Sequence, residues 1–379
     1  MLPLLELTRS KQSEIVLFLR EMVECESPSD DPAAVNRFVD LVSSKLAGVA
    51  KLKTFPGGRF GKHLGCEFTF PGRKKDGQLL ALGHSDTVWP MGTLKKMPWR
   101  EADGRLWGPG VLDMKSGIAF FIFAMQALRE LDLPVKRKVV LQLNADEEVG
   151  SESSRALTED AARNSAAVLV LEPGTGLTGK LKTARKGVGD YEVAVRGRAA
   201  HAGVDFEAGA SAILELARQI DVIAGFTNLP RGITVNPGVI SGGTRTNVIA
   251  AEAKVEVDIR VARAKDAPAL DKKFRGLKPV DKRCTIQVTG GLNRPPMERT
   301  AAVRQLFETA RNLAAEIGVD LEESATGGGS DGNFTAAMGI PTLDGLGGVG
   351  EGAHALNESI LTDRIADRTA LMAMLVQAL

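Results

Sequence analysis

Two adjacent glutamates, Glu147 and Glu148 in LQLNADEEVGS, close an apolar stretch (Val139, Val140, Leu141, Leu143) that reads as a buried strand. Successive side chains at a strand end point to opposite sides, so one pocket could use the pair in two roles. Metal-assisted hydrolysis needs that division: one carboxylate holds the ion while another, uncoordinated, moves protons. The chain has four histidines, and two have neighbours suited to such a centre. His84 stands in GHSDTVWP, where Asp86 two residues on can orient the imidazole or its surroundings. His354 stands in GEGAHALNE, after a glycine-rich loop that lets backbone approach closely. Asp113 in GPGVLDMKSG and Glu172 after AVLVL complete a set of two histidines and three carboxylates. Mixed ligation of this kind suits Zn2+, with Mn2+ or Co2+ as substitutes. A carboxylate shared by two ions would hold them about 3.5–4 Å apart.

Each of these residues also has an ordinary explanation. A lone histidine is usually structural or exposed, and Asp113, just ahead of an apolar helix expected over Lys115–Leu131, could be its N-cap. The combination argues against coincidence, because all five candidate ligands fall at element ends in one domain. The motifs GPG, GGGSDGN and GLGGVGEG surround them. The last contains a formal GxGxxG at Gly345, Gly347 and Gly350, but no βαβ unit follows it, which excludes a dinucleotide site.

The elements that must position these residues alternate. Helical spacing covers Ser13–Glu24 and Ala33–Leu46, and apolar stretches without alternation at Leu79–Leu82, Val139–Leu143 and Ala167–Leu171 read as strands buried on both faces. This predicts an α/β domain with a mostly parallel sheet and helices on both faces, whose sites lie at the carboxyl ends of the strands. The middle of the chain changes period. Asp190–Arg196 and Ala253–Val261 alternate polar and apolar residues, as half-buried antiparallel strands do. With a helix at Ala208–Ile223, a strand at Gly232–Ile240, a helix at Ala264–Arg275 and a strand at Cys284–Thr289, the order is βαββαβ, a ferredoxin-like unit. The expected division is a first domain of residues 1–186 and 297–379 and an inserted domain of residues 187–296. Helices at Ala301–Ile317 and Leu361–Leu379 complete the first domain.

Composition sets the outer bounds. A chain of 379 residues predicts about two domains. With 48 basic against 47 acidic residues, no nucleic-acid or acidic-lipid partner is indicated. Three cysteines, Cys25, Cys66 and Cys284, are far apart and fit reduced thiols in the cytoplasm. The N-terminal segment does not read as a signal peptide, and the apolar run at 118–128 is too short to span a bilayer. A soluble cytoplasmic protein is the expectation.

In order and spacing, GHSDTV, GPGVLDMKSG, NADEEVGS, LEP, GRAAHAG, TRTNVIA and GGSDGNF resemble the motifs of a di-zinc family. That family comprises acetylornithine deacetylase, succinyl-diaminopimelate desuccinylase and glutamate carboxypeptidase. The resemblance runs from about Glu21 to the C-terminus, and LEPG…KTARKGVGDY looks most like the glutamate carboxypeptidase branch. It implies that Asp113 bridges two zinc ions, one also held by His84 and Glu172, the other by Glu148 and His354. It makes Glu147 the general acid/base and places Asp86 behind His84. It further implies that His201 supplies an oxyanion donor to the active site of a partner subunit, so that the inserted domain both dimerises and acts as a lid. Arg260, on the polar face of its strand, would take a substrate carboxylate with help from Asn247, and Arg294 is a third candidate cation.

The implied chemistry is amide hydrolysis. Water between two cations is readily deprotonated, and Glu147 would take that proton and deliver it to the leaving amine. The expected substrate is a small peptide or N-acyl amino acid with an acidic, glutamate-like C-terminal residue. An N-acyl amino acid deacylase of the desuccinylase or deacetylase type is the alternative. A non-catalytic metal-binding sensor is the second, and the intact set of ligands with Glu147 argues against it.

Overall fold

The computed structural model describes residues 2–70 and 76–379. In chain order it begins with helices α1 (Leu2–Ser10), α2 (Gln12–Glu24) and α3 (Pro32–Leu46), then strands β1 (Ala50–Pro56), β2 (Lys62–Phe68) and β3 (Gln78–His84). Two short strands, β4 (Arg100–Ala102) and β5 (Arg105–Trp107), precede α4 (Ser116–Glu130), β6 (Lys138–Asn144), α5 (Arg155–Arg163), β7 (Ser165–Val170) and β8 (Leu181–Arg185). The middle of the chain forms β9 (Gly187–Arg196), α6 (Ala212–Ala224), β10 (Thr234–Gly242), β11 (Glu252–Val261), α7 (Ala267–Arg275) and β12 (Thr285–Arg294). The last third adds α8 (Ala301–Glu316), β13 (Glu323–Thr326), α9 (Gly332–Ala337), β14 (Thr342–Leu343), β15 (Gly350–Glu351), β16 (Ser359–Leu361) and α10 (Ile365–Ala378).

The chain divides into two compact units. The first holds residues 1–184, 299–325 and 330–379, and the second holds residues 185–298 and 326–329. The division expected from the sequence, 1–186 and 297–379 against 187–296, puts 326–329 in the first domain. That loop instead belongs with the second unit because its carbonyls are bonded there: Lys186 N donates to Thr326 O (3.0 Å), and Arg185 Nη1 donates to Gly328 O (3.1 Å) and Gly329 O (2.8 Å).

In the first unit a six-stranded sheet runs in the order β1-β2-β6-β3-β7-β14. β6, β3, β7 and β14 are parallel to one another, while β2 is antiparallel to β6 and β1 to β2, which gives an antiparallel edge. Strands covered on both faces need no polar alternation, which is why Leu79–Leu82 and Val139–Leu143 are predominantly apolar; Gln142, the polar exception, is buried with its amide on Asn144 Oδ1 and Thr158 Oγ1. α4 is buried nearly all round, as its sequence of aromatic and aliphatic residues requires. By composition Val111–Glu130 could pass for a membrane span, but non-helical dihedrals at Asp113 and Met114 break it, and it is packed inside the domain. The expected helix over Leu361–Leu379 resolves into β16, a 3-10 turn at Thr362–Arg364 and α10. β16 pairs with β5 in a small four-stranded sheet, β15-β16-β5-β4, that sequence reading did not foresee; strands of two or three residues leave no periodic signal.

The second unit is an antiparallel sheet in the order β10-β11-β9-β12, with α6 and α7 on one face, the ferredoxin-like arrangement. Tyr191, Val193 and Val195 of β9 and Val255, Val257 and Ile259 of β11 are buried with Leu216 and Ile223 of α6 and Leu270 and Phe274 of α7. The opposite face carries charge, with Lys254 Nζ 2.7 Å from Glu192 and 3.2 Å from Glu256. Phe274 is the pivot of this small core, stacked on Tyr191 at 3.9 Å between centroids and edge-on to Phe226 at 5.3 Å. Phe274→Ala is therefore expected to destabilise this unit by about 3–5 kcal/mol, read as a lower denaturant midpoint. A midpoint unchanged from wild type would show that the aromatic stack is dispensable.

Candidate metal centre

Parallel register explains how the candidate ligands meet. His84, the last residue of β3, lies opposite Asn144, the last residue of β6, and Leu82 lies opposite Val170 at the end of β7. Glu172, two residues past Val170, is thereby level with His84, and its Oε1 is 3.6 Å from His84 Nε2. Two glycines hold this segment by close approach. A Cβ on Gly117 would lie 1.9 Å from Leu171 O, and one on Gly347 would lie 2.2 Å from the same atom. The glycine motifs around the site thus serve packing. The carbonyls of Gly345 and Gly347 are held by Nη2 and Nε of the buried Arg368, which accounts for the GLGG run without a nucleotide.

Asp113 does not cap α4, which begins at Ser116; it sits in an irregular turn with φ −111° and ψ 95° and a cis peptide to Met114. Its two carboxylate oxygens face different imidazoles. Oδ1 is 3.2 Å from His84 Nε2, and Oδ2 is 3.4 Å from His354 Nε2. His354 Nε2 is also 3.4 Å from Glu148 Oε2. The donor atoms therefore form two triads that share one carboxylate: His84, Asp113 and Glu172, and Asp113, Glu148 and His354. Exposure grades across the pair, from 1% for the His84 side chain to 49% for His354, so the centre opens toward solvent at the second triad.

The electrostatics are those of a site that wants positive charge. Burial would lower the His84 pKa, but hydrogen bonds to Asp113 and Asp86 carry it well above the ordinary imidazole value. His354 is raised to about 10 by hydrogen bonds to Asp113 and Glu148. Burial works against the Asp113 charge, yet the two imidazoles hold its carboxyl far below the usual range. Glu148 is pushed up to about 7, by burial first and by its acidic neighbours Asp113 and Glu147 in addition, against the imidazoles. Its Oε1 is buried without a hydrogen-bond partner among the described residues. An orphaned carboxylate oxygen beside paired imidazoles and carboxylates fits a bound divalent cation. His84 is already oriented for one: its Nδ1 donates to the main-chain carbonyl of Asp86 (2.9 Å), which aims Nε2 at Asp113 and Glu172, and a cation that displaced the Nε2 proton would meet its lone pair there.

Glu147 and Glu148 are not on a strand end. β6 stops at Asn144, and the pair lies in a 3-10 turn, Glu147–Val149. Because Asn144 is level with His84, the chain must turn back to bring Glu148 to the second triad, and Asp86 makes the turn. Its carboxylate accepts from Glu147 N and Glu148 N, each at 3.2 Å, and from Ser29 Oγ at 2.7 Å. The main-chain carbonyl of Asp86 holds His84, while its carboxylate, 3.5 Å from the imidazole, chiefly holds the glutamates. Sequence spacing could not separate those two contributions.

Two residues that sequence reading passed over complete the setting. Glu358, in the quoted GEGAHALNE motif, is fully buried and accepts from Gly110 N, Leu112 N and Asp113 N at 2.9–3.0 Å and from Trp89 Nε1 at 2.7 Å. The signals were present as an acid four residues past a candidate ligand and a tryptophan whose N–H needs a partner when buried.

In the second unit, Ala202 N donates to Asn247 O (3.0 Å) and His201 bridges to Val248, so His201 and Asn247 share one end of the sheet. Both are exposed, and His201 Nδ1 accepts from Gly203 N at 3.1 Å. Arg260 and Arg294 both pair with Val188, at the other end of β9. Arg260 forms a two-pronged pair with Asp258 (3.0 and 2.7 Å) and reaches Gly327 O at 3.3 Å. Arg294 is buried, with Nη1 on Asn293 Oδ1 at 3.1 Å. The eight steps from Glu252 to Arg260 along β11 span about 26 Å, so the two groups lie far apart within one chain.

A mostly parallel α/β sheet whose strand ends and loops gather two His and carboxylate triads sharing one carboxylate has the donor set of a metal-binding protein. Comparison with known proteins gives the family. Residues 80–378 match Peptidase family M20/M25/M40, and the chain belongs to it; it is a hydrolase acting on amide bonds. Carboxypeptidase G2 of Pseudomonas sp. (strain RS-16) is 28% identical over 360 residues, covering 93% of this chain and 86% of that protein. The fold matches an aminopeptidase from Bacillus cereus ATCC 10987 with TM-score 0.79 and 22% identity, covering 97% of this chain and 98% of that one. It also matches a dinuclear metal binding peptidase of the M20 family from Bacillus subtilis, with TM-score 0.71 and 13% identity over 98% of each chain.

Proposed function

We propose that this chain is a metallo-carboxypeptidase that cleaves the amide bond before a C-terminal acidic residue, glutamate foremost, in a small peptide or N-acyl amino acid. The observation that carries the reading is the pair of triads sharing Asp113, with Glu147 beside Glu148 at the more open one. Similarity to carboxypeptidase G2 over nearly the whole chain supports the carboxypeptidase side. His84, Asp113 and Glu172 would hold one ion, and Asp113, Glu148 and His354 the other. Their nitrogen and oxygen donors favour Zn2+, with Mn2+ and Co2+ as substitutes. When bound, the ions polarise the amide carbonyl and lower the pKa of water. Glu147 takes the water proton and passes it to the leaving amine.

Substrate recognition falls to the second unit in this reading. Arg260 would turn its planar fork from Asp258 to the substrate carboxylate, with Arg294 across Val188 from it, and His201 would donate to the developing oxyanion with Asn247 beside it. The separation of these two groups along β11 supports a homodimer, since one small substrate cannot touch both ends of a single sheet. One copy would then supply His201 and Asn247, and the other Arg260 and Arg294.

A substrate panel tests the reading. N-blocked dipeptides ending in Glu, Asp, Leu or Lys, and N-acetyl or N-succinyl amino acids, are compared by kcat/KM with zinc present. Preference for C-terminal Glu in the peptides supports the carboxypeptidase; faster turnover of the N-acyl amino acids would instead establish a deacylase. Arg260→Ala is expected to raise KM about 10–100-fold for free-carboxylate substrates, the worth of a charge-assisted hydrogen-bond pair, and to leave C-terminal amides unaffected. An unchanged KM would remove Arg260 from the pocket.

A further inference from the structure

We propose that Glu358 is a positioning residue for the metal centre: a buried, non-ligating carboxylate that fixes the backbone around Asp113 and locks it to the segments carrying His84 and His354. The inference rests on the metallohydrolase reading above.

The turn that presents Asp113 lacks regular structure. Gly110 has φ +73°, and Asp113 and Met114 have non-helical dihedrals, so the N–H groups along this buried stretch cannot all find helical acceptors. Glu358 supplies them. Its Oε1 accepts from Leu112 N (2.9 Å) and Asp113 N (3.0 Å), and its Oε2 from Gly110 N (3.0 Å) and Trp89 Nε1 (2.7 Å). Four donors converge on two oxygens, so the arrangement requires the carboxylate; an amide or a carboxylic acid would aim its own hydrogens at an N–H.

The same bonds connect three ligand segments. Trp89 is five residues past His84, at the end of GHSDTVWP. Asp113 is held through its own N–H. Glu358 is four residues past His354 in a tightly closed turn: Glu358 N donates to Ala355 O (2.9 Å), and a Cβ on Gly352 would lie 2.8 Å from Glu358 N. Asp113 must aim one oxygen at each imidazole, so a small rotation of its peptide would spoil both triads together. A single buried carboxylate thus sets the relative placement of His84, Asp113 and His354 without touching a metal.

Glu358→Gln keeps the shape and places an NH2 group where one oxygen accepted two N–H bonds. Two quantities are measured on wild type and variant: thermal unfolding of the metal-free protein, and zinc affinity by competition with a chromophoric chelator. The expected result is a metal-free protein that still unfolds cooperatively, at a lower temperature than wild type, and binds zinc about 10–100-fold more weakly, as loss of an outer partner does in metal sites. Trp89→Phe, which removes one donor, should show a smaller loss in the same direction. A folded Glu358→Gln with wild-type zinc affinity overturns the proposal. If that variant does not fold, Glu358→Asp decides on the same terms: it keeps the charge but is one methylene too short for both donor pairs, and wild-type affinity in it is equally fatal. Absence of zinc binding by the wild-type protein would sink the metallohydrolase reading itself, a distinct result.

Discussion

Glu147→Ala is expected to lower kcat/KM by about 10²–10⁴-fold, the usual worth of a positioned acid–base group, while metal content stays at the wild-type level. The expectation follows from the turn that separates the two glutamates. Glu148 faces His354 at 3.4 Å within the second triad, whereas Glu147 lies outside both triads, next to the one that opens to solvent. Both main-chain N–H groups are anchored on Asp86, so removing the Glu147 side chain leaves the Glu148 backbone in place. Steady-state kinetics beside elemental analysis of the purified variant makes the check. Unaltered hydrolysis would mean that another group moves the proton, and lost metal would mean that Glu147 is a ligand.

Asp113→Ala is expected to abolish binding at both triads, because it deletes the one carboxylate they share. Activity should fall to background, and chelation of the wild-type protein should give the same loss reversibly. Stability supplies an independent readout. Zinc at about a thousand times its Kd should stabilise the wild-type fold by about 4 kcal/mol, and the variant by almost nothing. The pH dependence has a definite sign. His354 is raised to about 10 and Glu148 to about 7, so at neutral pH the metal-free centre carries protons that ligation must displace. Zinc uptake should therefore release protons and weaken as pH falls, with tighter binding at pH 8 than at pH 6. Affinity independent of pH over that span would show that the imidazoles are not ligands.

Much of the architecture was legible in the sequence because burial leaves periodic traces. Continuous apolar runs marked the parallel strands, and strict alternation in Ala253–Val261 marked a half-buried antiparallel one. Short elements escaped. The small sheet containing β15 and β16 has strands of two or three residues, held by loop packing rather than by any pattern of their own. The 326–329 loop falls outside the expected inserted domain for a related reason, since the hydrogen bonds that its carbonyls accept from the Arg185 side chain and the Lys186 main chain have no sequence signature.

The chemistry followed the same divide. Residue type and position at the ends of expected strands and loops singled out His84, Asp113, Glu148, Glu172 and His354, because mixed His and carboxylate donors suit a borderline cation such as Zn2+. Which oxygen faces which imidazole was decided by tertiary structure: by the register that sets Glu172 level with His84, the turn held by Asp86 that returns Glu148, and the irregular Asp113 segment held by Glu358. Those placements depend on hydrogen bonds between residues 61 and 245 positions apart, and no local pattern records them. The sequence alone determined the kinds of donor and the elements that carry them. Their convergence on two shared triads belongs to the fold, because only the packed sheet brings its strand ends and loops within reach of one another.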